Sequence, residues 1–170
     1  MKNRVLMIVS IITLVAMSMV LVSPTYAGSP KPPKRTIPVT GSGLINLASN
    51  TIHKLAMKNG DEVIVPAMSM KSLKASVISE TKKTLPAALP SDVVRFVDAV
   101  SVSFVQGNSS LDKLPKGSEL TVSFAQDAAL IDNDYAVAIL CWNGTNWEEI
   151  ETNSLEAKAN MSGIYALVMK

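Results

Sequence analysis

Cysteine and histidine each occur once in this 170-residue chain, as Cys141 and His53. One cysteine excludes an internal disulfide, so stability has to come from burial. One histidine leaves nucleophilic hydrolysis with a single candidate base, because that chemistry most often sets a histidine beside its nucleophile. The G-x-S-x-G elbow of the hydrolases is absent,. There is also no internal repeat, and no cysteine closely follows the N-terminal apolar run as a lipid-anchored protein would require.

That run is the strongest signal present. Met1-Lys2-Asn3-Arg4 makes a basic start, Val5 to Val22 is apolar apart from Ser10, Thr13 and Ser18, and Pro24 precedes Thr25-Tyr26-Ala27. Basic, apolar and small-residue regions in that order predict a secretory signal peptide over residues 1–27, cleaved after Ala27. The expected location is secreted, periplasmic or at the cell surface. The competing reading is an uncleaved anchor. The run is near the lower length limit of a membrane-spanning helix, and Lys31, Lys34 and Arg35 put positive charge beyond its far end,.

Removing Lys2 and Arg4 from the 16 basic residues leaves 14 against 14 acidic ones, so the exported part is neutral. A neutral protein has no general pull on nucleic acid or anionic lipid. Nucleic acid is therefore not an expected partner, and membrane contact is expected only through the N-terminus. Lysines outnumber carboxylates over residues 39–83 and carboxylates dominate residues 112–170. Ordinary solvated faces explain that asymmetry, since exposed pairs contribute about 0–1 kcal/mol each.

Residues 28–38 (GSPKPPKRTIP) are rich in proline and positive charge, and read as an extended linker,. A single domain should follow over 39–170. Thr51–Met57 and Glu62–Val65 flank Lys58-Asn59-Gly60-Asp61, a strong hairpin signal,. Val94, Phe96, Val100, Val102 and Phe104 share one parity, interrupted by Asp98, which suggests a strand with a bulge,. Leu120, Val122 and Phe124 alternate with polar residues. Tyr135–Trp142 is almost continuously apolar, as in a strand covered on both faces,. Asn143-Gly144-Thr145-Asn146 turns it into Trp147–Thr152, and Ile164–Met169 closes the chain. Met68–Thr84, with Met70, Leu73 and Val77 at helical spacing, is expected to be a short amphipathic helix or a loop, ended by the prolines of 85–90,. The fold class is all-β: an antiparallel β-sandwich, Ig-like or similar, with that one helix or loop segment after a signal-peptide helix.

Leu114-Pro115-Lys116-Gly117, LTVSF, ILCWNGTNWEEI and GIYALVMK together resemble the C-terminal half of many exported bacterial proteins. They are also similar to the β-sandwich of zonula occludens proteins, ankyrins and netrin receptors. The resemblance covers residues 85–170 and, weakly, the hairpin at 51–65. It implies a fold and no chemistry. Related autoproteolytic modules cut at a His-hydrophobic-Ser/Thr tripeptide, whereas His53 is followed here by Lys54 and Leu55.

Ser69, Ser72, Ser79 and Ser110 lie near Lys71, Lys74, Lys82 and Lys113, but these common residues read as polar faces or turns,. Glu148, Glu149 and Glu151 cluster as glycosidic carboxylates would. Alternation puts Glu149 and Glu151 on one face, and solvated strand-edge charges are the favoured reading. Asp127, Asp132 and Asp134, with Asn133, offer calcium its kind of ligand without the EF-hand spacing. Trp142 and Trp147 flank the turn, as a sugar platform or a cross-strand pair. The sequons at Asn108, Asn143 and Asn160 read as turns, and Cys141 as a buried small hydrophobe,. No catalytic residue, metal site or cofactor is expected. The expected function is an exported, non-enzymatic binding or structural module whose partner is an extracellular protein or glycan. A secreted carbohydrate hydrolase and a membrane-tethered envelope module are the alternatives.

Overall fold

The computed structural model describes residues 31–125 and 135–170. The expected signal peptide, its cleavage site and the calcium candidates Asp127, Asp132 and Asp134, with Asn133, lie outside them. Among the described residues every regular element is a strand. In chain order these are β1 Lys34–Pro38, β2 Ile45–Asn46, β3 Ile52–Ala56, β4 Glu62–Val65, β5 Leu73–Glu80, β6 Arg95–Gln106 and β7 Ser109–Leu111. They continue with β8 Leu120–Ser123, β9 Val137–Trp142, β10 Trp147–Ile150, β11 Thr152–Asn153, β12 Glu156–Ala159 and β13 Gly163–Met169.

Alternation of apolar and polar side chains sorts the strands into two sheets. One has the order β1-β3-β4-β8-β12-β11, the other β10-β9-β13-β6-β5-β2, with β7 pairing the far end of β6. Every pairing is antiparallel except β1 with β3. Leu55, Val63, Val65, Leu120, Val122 and Ala157 of the first sheet meet Val77, Val102, Phe104, Ile139, Cys141 and Tyr165 of the second in one buried core. The arrangement is sandwich-like, each sheet burying the face that alternation makes apolar.

The second sheet also buries part of its outer face. Ala99, Ala138, Leu140, Ala166 and Val168 form a separate cluster there, covered by Leu85, Leu89, Val93 and Phe96. The segment of residues 81–94, with its two prolines, thus straps across the sheet. β9 is apolar on both faces for this reason: Ile139 and Cys141 belong to the inner core, Ala138 and Leu140 to the outer cluster.

Three expectations change. Met68–Thr84 contains no helix. Leu73, Ala75 and Val77 are buried at period two in β5, which ladders along its whole length with β6. The helical spacing was a coincidence of a few apolar residues, and the long antiparallel partner decides the conformation. Next, the bulge expected near Asp98 is present, but it reverses the parity of what precedes it. Asp98 opposes Leu167 while Phe96 opposes Val168, so Val97 is the extra residue. Phe96 consequently packs on the outer cluster, away from Val100, Val102 and Phe104,. Finally, Trp147–Thr152 is two strands, because the chain leaves one sheet after Ile150 and enters the other at Thr152. Within residues 28–38, Lys34–Pro38 is an edge strand beside β3.

Candidate functional site

Among the described residues, apolar surface remains uncovered where the chain leaves β1 and passes the ends of β3 and β5. Pro38–Ser42, Ala56–Lys58 and Val77–Ser79 enclose a cleft of about 750 Å³. That lies within the range of ligand pockets, about 300–1,000 Å³. Its walls are local consequences of strand pairing. The amide of Val39 donates to the carbonyl of Ala56 at 2.8 Å, extending the β1–β3 ladder by one residue. The Ser76 hydroxyl donates to the Ser42 carbonyl at 3.2 Å and holds the 39–44 segment against β5. Val39, Met57, Val77 and Ile78 supply the apolar lining, while Thr40, Ser42, Lys58 and Ser79 supply polar groups. Ile78 is 38% exposed although it is a large apolar residue in a strand.

Beside the cleft, the β3–β4 turn joins the bulge of β6. Asp61 is buried; one carboxylate oxygen accepts from the Ala125 amide at 2.8 Å and the other from Asn59 Nδ2 at 2.7 Å. Asn59 Nδ2 also donates to Asp98 at 3.3 Å, linking the two sheets. Partial burial and the neighbouring Asp61 charge raise the Asp98 carboxyl above its ordinary value,.

The candidate residues of the sequence are dispersed in the fold. His53 is buried in β3, and Nε2 donates to the carbonyl of Ala48 at 3.1 Å. Its ring therefore engages backbone and no hydroxyl nucleophile. Ser69, Lys71 and Ser72 are exposed in the β4–β5 loop and Lys74 is in β5. The Ser79 hydroxyl lies 3.6 Å from Met57 Sδ, Lys82 is exposed, and Ser110 and Lys113 are exposed near β7. The three glutamates separate. Glu148 accepts from Asn143 Nδ2 at 2.7 Å, Glu149 pairs with Lys170 at 2.7 Å, and Glu151 sits where the chain changes sheets. The shared face expected for Glu149 and Glu151 is therefore lost.

Trp142 and Trp147 are directly opposed across the β9–β10 ladder, their rings 5.5 Å apart and tilted by 58°. Trp147 also packs on the outer cluster. Asn143 builds the turn beneath them: its Oδ1 accepts from the amides of Thr145 at 2.9 Å and Asn146 at 3.0 Å. Gly144, at φ 99°, takes the left-handed position the turn needs,. Asn108 and Asn160 are exposed. Cys141 is buried, and burial pushes its thiol up to about 11, so it is an inert core residue,.

The cleft residues were not singled out from sequence. The available signal was Val77-Ile78, two adjacent β-branched residues where alternation calls for a polar second one,. No family model matches the chain, and neither the curated proteins nor the solved structures contain a significant match.

Proposed function

We propose that the protein is an exported, non-enzymatic binding module that seats an apolar, extended segment of an extracellular partner protein in the cleft between β1, β3 and β5. The carrying observation is the open apolar cleft of about 750 Å³ with Ile78 exposed in it. Its lining favours apolar side chains over a glycan, which would require more hydrogen-bonding groups than Thr40, Ser42, Lys58 and Ser79 provide,. Among the described residues β1 is the outermost strand of its sheet, which would let an added strand pair with its outer edge,. The basic-apolar-small order of residues 1–27 and the resemblance of residues 85–170 to exported surface modules support the extracellular setting,.

The test is fluorescence anisotropy with a labelled extended peptide of alternating valine and threonine. Ile78→Asp should abolish binding and leave the protein folded at a cost of about 1–2 kcal/mol, because the side chain is 38% exposed and its remainder packs in the β5–β6 ladder,. Equal binding by wild type and Ile78→Asp, or no binding by either, contradicts the proposal.

A further inference from the structure

The cleft is at one end of β3; a second feature, independent of it, is at the other. His53 is 1% exposed. The Ala48 carbonyl can only accept, so Nε2 carries the proton of the bond between them, 3.1 Å long,. Nδ1 then presents its lone pair, and it has no hydrogen-bond partner among the described residues. A ring whose far N–H is held by a backbone carbonyl has the arrangement of a metal-binding histidine.

The same ring lines a small void of about 10 Å³, and two further walls are Met68 and Met70. Met68-Ser69-Met70 therefore brings two thioethers to the space that His53 also borders. The loop is tied to the segment before β3: the Met68 carbonyl accepts from the Asn50 amide at 2.8 Å and the Ser49 hydroxyl at 3.3 Å. We propose that His53, Met68 and Met70 form a buried site for one soft monovalent metal ion, copper(I) in nature and silver(I) as its stable analogue.

Thioether and imidazole ligands suit copper(I), whereas harder cations favour oxygen ligands. No carboxylate lines the void to balance a divalent charge, and a second uncompensated charge in an apolar setting is costly,. The volume suits one small occupant. Water is the rival occupant, but a buried water needs two to four polar partners. Apart from His53, Thr51 has the only polar side chain in the lining, and its hydroxyl already donates to the Ser49 carbonyl at 3.3 Å.

The experiment titrates the full-length protein with silver(I) and, anaerobically, with copper(I) buffered by bicinchoninate. Methionine methyl resonances report the site. One ion per chain should bind, moving the Met68 and Met70 methyls and the His53 ring while Met57, Met161 and Met169 stay in place. Zinc(II) should move none of them. Met68→Leu and Met70→Leu conserve volume and should each weaken binding about 100-fold or more with an unchanged circular dichroism spectrum. Met70 is only half-buried, so its variant decides the matter if Met68→Leu fails to fold. Absence of uptake, uptake unchanged in Met70→Leu, or equally tight zinc(II) binding overturns the proposal.

Discussion

Two apolar surfaces flank the second sheet, and the chain treats them differently. Over its outer face, Leu85, Leu89 and Val93 of the strap close the cluster formed by Ala99, Ala138, Leu140, Ala166 and Val168. At the mouth between β1, β3 and β5, Val39, Met57, Val77 and Ile78 line a cleft that remains open. Among the described residues, a proline-containing segment covers one apolar face and nothing covers the other. A large exposed apolar residue beside a formed cleft marks a binding surface more readily than a defect of packing.

The largest effect is expected from opening the covered side. Leu140 is 2% exposed within the outer cluster. Leu140→Ala should cost about 2–5 kcal/mol, measured by urea unfolding, because a buried leucine loses both transfer and cavity terms. A variant as stable as wild type would show that the strap covers nothing that matters, and the contrast between the two surfaces would collapse. Ile78→Asp, on the open side, carries a different expectation: a smaller loss of stability, about 1–2 kcal/mol, and lost binding,.

A smaller effect concerns the Asp98 carboxyl at the bulge. Its value in the fold is raised above 3.8, chiefly by burial and then by Asp61. The folded state therefore holds this proton more tightly than the unfolded chain does. The contribution to stability is greatest below the unfolded value and is lost as pH rises through the raised one. Asp98→Asn should therefore be more stable than wild type at pH 7, with the advantage shrinking as pH is lowered towards 4. An advantage independent of pH would assign the effect to packing instead.

How much of this was legible in the sequence follows from how each strand is stabilised. β8 and β9 were, because Leu120, Val122 and Phe124 alternate cleanly and the Tyr135–Trp142 run is apolar on both parities. The turn at Asn143-Gly144 was, since its residues carry their own hydrogen bonds. β12 was not: in Glu156–Ala159 only Ala157 is buried, and the strand exists because β8 lies beside it. β5 was misread because Met70, Leu73 and Val77 fit helical spacing, and only the β6 partner distinguishes the alternatives. The cleft was invisible for the same reason. Val39, Met57 and Ile78 are brought together by pairing between distant segments, and no local pattern announces it.

The central claim, that the uncovered cleft is the binding surface, is tested most directly by mapping amide shifts of the full-length protein as the valine–threonine peptide is added. Binding there predicts perturbations concentrated at residues 38–42, 56–58 and 77–79, with the strap at 85–93 unmoved. Perturbations centred on the strap and the outer cluster, with the cleft silent, would contradict it.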